Sequence, residues 1–180
     1  MIRILFLEDN RDDAEIVAQT YESAGLSVQI ERVESQPLFR QALEKQEWDL
    51  LLLDYALPRF DGIAALDLAR KIRPELPAVI LSGVIAEDLA TETLKVGAAD
   101  YVLKDALERL VPVTERVLRD AEHRKELMRQ FRLALANMHG CIAELRNNGR
   151  DTSLTHSYAR LGEIAKDLET LAVQLVAWRR

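Results

Sequence analysis

Five times within the first 120 residues, a short apolar segment of strand length is followed by a segment of helical period. Few architectures accept that alternation. Ile2–Leu7, Asp49–Leu53, Ala78–Leu81 and Asp100–Leu103 read as strands, and residues 27–33 alternate as a further one. The first and third are apolar almost throughout, as strands covered on both faces are. The helices between them are predicted over residues 12–24, 36–47, 62–72 and 87–96, with a fifth from about Ala106. Gly25, Arg73-Pro74 and Gly97 stop three of them, and Pro37 sits in the first turn of the second. The prediction is an α/β fold, a parallel sheet with helices on both faces and right-handed crossovers.

In such sheets the chemistry gathers at the carboxyl ends of the strands. There the sequence places Glu8-Asp9, Asp54, Ser82-Gly83 and Lys104. Each has an ordinary reading alone: a carboxylate after a strand caps the next helix, a serine closes a turn, a lysine is solvated. Together they bring three acids, a hydroxyl and an ammonium to one sheet edge. Acids so close raise one another's pKa values unless cations balance them. An all-oxygen set suits a hard ion, Mg2+ above all.

Charge narrows the function classes. Residues 1–120 carry 14 Lys and Arg against 23 Asp and Glu, a net −9, whereas residues 121–180 carry 10 against 7, a net +3. An acidic domain of this kind is a poor match for nucleic acid. No run of 18 apolar residues is present, so no membrane span is expected. The MIRILFLEDN start is too short and too acidic for a signal peptide. Cys141 is the only cysteine, which excludes an internal disulfide and a cysteine-rich zinc site. A cytoplasmic location is the expectation.

LEDN at the first strand, LLLDYALPRFDG at the third, LSG at the fourth and DYVLKD at the fifth resemble the response regulator receiver domain of two-component signalling. The resemblance covers about residues 1–120 in motif, order and spacing. It implies a flavodoxin-like doubly wound five-stranded sheet in the order 2-1-3-4-5. It implies that Asp54 is the phosphoacceptor, fed by a histidine kinase or phosphotransfer protein. It implies Mg2+ held by Glu8, Asp9, Asp54 and the backbone carbonyl of Ala56. Ser82 and Lys104 would contact the phosphoryl oxygens, and Tyr101 would turn inward on activation, with Ser82 completing the switch. Such a domain is no conventional enzyme, since it catalyses only its own phosphorylation and dephosphorylation. The sequence departs from the family at Asp105, where proline commonly follows the lysine; a cis bond before a non-proline is costly, so Lys104–Asp105 is expected trans. Two alternatives compete. A small aspartyl-phosphate phosphatase or phosphotransferase would carry Asp-x-Asp, but Asp54-Tyr55-Ala56 lacks the second acid. In a flavodoxin-like cofactor binder, Glu8-Asp9-Asn10-Arg11-Asp12 would repel the phosphate.

Beyond residue 120 the fifth helix does not stop. Apolar residues in 4,3 steps run from Leu110 through Val117, Ala121, Met128, Phe131, Leu135, Met138 and Ile142 to Leu145, with Thr114 and Arg124 on the same row. A helix over 106–147 would extend about 60 Å at ~1.5 Å per residue. Asn147-Asn148-Gly149 ends it and Asp151-Thr152-Ser153 caps another. The second helix carries the row Leu154, Tyr158, Leu161, Ala165, Leu168, Ala172, Leu175, flanked by Ile164, Leu171 and Trp178. Two domains are expected: a receiver at 1–120, and a coiled-coil-like antiparallel helical hairpin at 121–180. The hairpin shows no DNA-recognition helix, so output by protein contact and homodimerisation through the hairpin are expected.

Overall fold

The computed structural model describes residues 1–58, 60–83, 96–147 and 153–177. Strands β1 (Ile2–Leu7), β2 (Val28–Val33), β3 (Leu50–Asp54), β4 (Ala78–Ser82) and β5 (Asp100–Leu103) form one parallel sheet in the order β2-β1-β3-β4-β5. Helices α1 (Arg11–Ser23), α2 (Gln36–Lys45) and α3 (Gly62–Ile72) follow the first three strands. A 3-10 segment (Lys104–Arg109) leads into α4 (Leu110–Asn147), and α5 (Ser153–Ala177) completes the described chain. Of the helix expected at 87–96, residues 87–95 lie outside those described, and Val96 is in a turn.

The pleat of the central strands sorts their side chains into two cores. Leu5, Leu7, Leu51, Leu53 and Ile80 face α2 and α3, where Phe39, Leu43, Leu66 and Ala69 close over them. Ile4, Phe6, Leu50, Leu52, Val79, Leu81 and Val102 face the other way, onto Val17 and Tyr21 of α1 and Leu110, Val113 and Val117 of α4. This double covering is why β3 and β4 are buried at every position.

The long helix begins later than the sequence suggests. Ala106 is non-helical, at φ −133° and ψ 45°, and regular helix starts only at Leu110. Pro112 gives the reason. It lacks an N–H and clashes with the carbonyl four residues back, so it is accepted only in a first turn. The Lys104–Asp105 peptide is trans.

By its internal packing the chain divides into two compact units, Met1–Ala121 and Glu122–Arg180. In the second unit, the later part of α4 and α5 run antiparallel, with Arg160 Nη1 3.9 Å from Glu144 Oε2 across them. The expected row on α4 is mostly inward, with Ala121 buried and Arg124, Met128, Phe131, Leu135, Met138 and Leu145 half-buried, but both rows shift at particular positions. Leu127 and Cys141 are buried while Ile142 is 41% exposed; on α5 the half-buried residues are Leu161, Ile164, Leu168, Leu171, Ala172 and Leu175, with Tyr158 and Ala165 outward. Apolar residues occupy two adjacent edges of each helix, and spacing alone does not say which edge meets the neighbour. The side chain of Leu154, and Trp178, lie outside what is described.

Candidate functional site

All five residues singled out at the strand ends come together at one edge of the sheet. Glu8 continues β1, and its N–H donates to the Val33 carbonyl of β2 at 3.0 Å. Asp54 closes β3, paired in register with Leu81. Ser82 closes β4 and is fully buried, paired with Leu103. Lys104 is the first residue after β5.

Oxygens of Glu8, Asp9 and Asp54 all lie within 4.8 Å of one another. Glu8 is fully buried, Asp54 nearly so, and Asp9 is exposed. Lys104 Nζ lies 2.7 Å from Glu8 Oε2, 2.6 Å from Asp13 Oδ2 and 3.3 Å from Asp54 Oδ2. Burial pushes the Glu8 carboxyl above its usual range, opposed by the Lys104 ammonium and by the Asn10 N–H, which donates to Glu8 Oε1 at 3.0 Å. Burial works to lower the Lys104 pKa, but its bonds to Asp13 and Glu8 and the charge of Asp54 outweigh that and raise it. An all-oxygen cluster that is dry on one side and open at Asp9 fits a hard divalent cation such as Mg2+.

The loop after β3 is shaped by close packing. The N–H of Ala56 donates to Asp54 Oδ1 at 3.4 Å, and that of Tyr55 to the Leu81 carbonyl at 2.8 Å. Gly62 opens α3 against this loop: a Cβ there would stand 2.8 Å from the Asp54 carbonyl oxygen. Asp61 caps the same helix by accepting the Ala64 N–H at 2.8 Å. Tyr101 is half-buried on β5 and packs against the α2–α3 core.

Two participants escape a reading of strand ends. Asp13, one turn into α1, shares Lys104 with the cluster. Arg32, at the end of β2, donates from Nη1 to the carbonyls of Glu8 at 2.7 Å and Asp9 at 3.2 Å. Its one sequence signal is its phase, since it continues the half-buried row of Val28 and Ile30.

Comparison with known proteins agrees with this geometry. Residues 4–114 match the family model described as the response regulator receiver domain. The nitrogen assimilation regulatory protein NtrX of Azorhizobium caulinodans is 33% identical over 127 residues, 69% of this chain and 28% of the relative. The transcriptional regulatory protein ZraR of Escherichia coli K12 is 40% identical over 68 residues, 36% of this chain and 15% of the relative. The chain thus spans under a third of the length of these relatives. Among solved structures, NtrX from Brucella abortus in complex with ATP aligns at TM-score 0.64 and 26% identity, over 80% of this chain and 34% of that one. A receiver domain of a Pseudomonas aeruginosa PAO1 sensor histidine kinase, described with a magnesium ion in its active-site cleft, aligns at TM-score 0.57 and 23% identity. It covers 65% of this chain and 97% of that one, and shows the shared fold. On the match over residues 4–114, this chain belongs to the response regulator receiver domain family.

Proposed function

We propose that the chain is a phosphorylation-controlled signalling module. Asp54 accepts a phosphoryl group from the phosphohistidine of a histidine kinase or phosphotransfer protein. The observation that carries this reading is one lysine held among the carboxylates of Glu8, Asp13 and Asp54 at the strand ends. An Asp54 carboxylate oxygen attacks phosphorus, the P–N bond to the donor imidazole breaks, and the product is an aspartyl phosphate. Such transfer asks for positioning and charge neutralisation more than covalent chemistry. Glu8, Asp9, Asp54 and the Ala56 carbonyl are the proposed ligands of Mg2+, which when bound neutralises charge on the transferring group. Lys104 turns from its carboxylates toward the phosphoryl oxygens, and the buried Ser82 hydroxyl donates to another. The movement of Ser82 opens room for Tyr101 to rotate inward, and that rotation is the switch. Phosphorylation favours the switched state only as far as the phosphoryl group binds the two states differently.

Incubation with acetyl phosphate or beryllofluoride, with and without Mg2+, tests the assignment. Wild type is modified only with Mg2+, Asp54→Asn is not, and Lys104→Ala binds Mg2+ at least as tightly but responds poorly. Undiminished phosphorylation of Asp54→Asn sinks it.

Output by protein contact extends the same reading, with residues 121–180 as a separate dimerisation element in a cytoplasmic protein. Val173 and Val176 lie near the end of α5 and are mostly exposed, as is Tyr158 nearer its start. Pairing two hairpins into a four-helix bundle covers them.

A further inference from the structure

The acidic loop is held from behind by a side chain on another strand. Glu8 and Asp9 are consecutive, and their carboxylates point into the site while their carbonyls point away from it, toward β2. There the Arg32 guanidinium bridges both: Nη1 donates to the Glu8 carbonyl at 2.7 Å and to the Asp9 carbonyl at 3.2 Å. Nη2 donates to Glu34 Oε2 at 2.9 Å, which fixes the plane of the fork. The Arg32 side chain is 21% exposed, against 54% for Glu34.

We propose that Arg32 is a positioning residue for the cation site, setting the Glu8 and Asp9 carboxylates by clamping the backbone that carries them. The proposal rests on the reading of the cluster as a Mg2+ site. Nη1 reaches both carbonyls while Nη2 is held by Glu34, so three acceptors lie on one rigid planar group, and an ammonium has no second nitrogen to be anchored in this way. The other tethers of this loop, the Glu8 N–H on Val33 and the Asn10 cap of α1, hold its ends. Asp9 is exposed, so its placement depends on the backbone more than on packing.

The sign of one measurement separates positioning from charge. Arg32 is a cation behind the acidic loop, so if it acted only through its field, its removal would tighten Mg2+ binding. If it positions the ligands, its removal weakens binding, by roughly the 10–100-fold seen when groups that orient metal ligands are lost. Arg32→Gln removes charge and fork; Arg32→Lys keeps the charge and loses the fork.

Calorimetric titration of the full chain with Mg2+, paired with thermal unfolding of each variant, decides the matter. The expected result is roughly 10–100-fold weaker Mg2+ binding in Arg32→Gln, a smaller but clear loss in Arg32→Lys, and cooperative unfolding in both. Unchanged or tighter binding in Arg32→Gln overturns the proposal, as does an Arg32→Lys variant indistinguishable from wild type. Should Arg32→Gln fail to fold, Arg32→Lys carries the comparison; failure of both overturns the proposal by making Arg32 a residue of the fold. A wild-type chain that takes up no Mg2+ instead defeats the underlying reading of the cluster.

Discussion

Gly62→Ala perturbs Asp54 without altering any of the site's functional side chains. Built on the existing backbone, the added Cβ lies 2.8 Å from the Asp54 carbonyl oxygen, 3.2 Å from Tyr55 Cα and 3.3 Å from the Asp54 carbonyl carbon. Optimal carbon contacts are ~3.5–4.0 Å, so the end of β3 or the start of α3 must move. All three atoms are backbone, and no rotamer change relieves the clash. Overpacking of this sort costs about 1–3 kcal/mol, and exchanging Gly for Ala in a helix returns at most about 1 kcal/mol. The net loss is up to about 3 kcal/mol, and at its midpoint of about 1.5 kcal/mol lowers Tm by roughly 4–8 °C for a domain of this size. Because the shift falls on the residue carrying the carboxylate, Mg2+ binding weakens as well. Gly140 and Gly162 are the controls: each lies within a helix, and a Cβ at either meets nothing within 4 Å. Alanine there stabilises by about 0.5–1 kcal/mol. Calorimetry of the three variants, with Mg2+ titration of the first, reads out the contrast. A Gly62→Ala protein as stable as wild type with unchanged Mg2+ affinity would refute the close-packing argument.

Tyr21 and the hairpin give two further tests. The Tyr21 hydroxyl is buried 2.7 Å from Thr114 Oγ1, and burial pushes its pKa from 10.0 to about 12. A pKa raised by folding contributes stability that is fully present below pH 10 and is lost as the pH rises to about 12, roughly 2–3 kcal/mol in all. In urea unfolding at pH 9 and pH 11, Tyr21→Phe is expected to show a smaller alkaline loss, and at neutral pH to be about 1–3 kcal/mol less stable because Thr114 loses its partner; an identical alkaline loss argues against the assignment. For the hairpin, light scattering on the full chain at micromolar concentration is expected to show a dimer, and Val173→Glu combined with Val176→Glu a monomer. A monomeric wild type ends the dimer reading, and a dimer that survives removal of residues 121–180 moves the interface to the receiver.

What could be read from the chain was whatever depends on local order. Leu50–Asp54 is apolar until its last residue, so the strand and its functional carboxylate come from one short stretch. Glu8, Ser82 and Lys104 are legible for the same reason, each standing at the end of an apolar run. Asp13 and Arg32 were not legible as site residues, because their roles depend on side-chain reach between elements: Lys104 meets Asp13 across 91 positions of sequence, and Arg32 meets the Glu8 carbonyl across 24. The beginning of α4 was misread because helical period overlooks what Pro112 does to the turn before it. Leu127 and Cys141 were missed on the hairpin because the choice between Cys141 and Ile142 belongs to the neighbouring helix, not to the period.

The charge arrangement also constrains how the site can respond. Lys104 serves Glu8, Asp13 and Asp54 at once. Glu8 is fully buried, and burial already disfavours its ionised form. Drawing Lys104 away toward an incoming phosphoryl group would leave that carboxylate with the Asn10 N–H and no facing cation, and an unpaired buried charge is expensive. Lys104 can therefore leave Glu8 only when another positive charge faces it, or when Glu8 takes up a proton. Asp13 is differently placed: half-buried on the first turn of α1, it can be given over to water at little cost. Of the three bonds to Lys104, the one to Asp13 is then the first to yield, and the one to Glu8 ties movement of the lysine to cation binding. On the proposed reading, a divalent cation in the cluster would face the buried Glu8 carboxylate as well as neutralise the group being transferred, and so would free Lys104 to move.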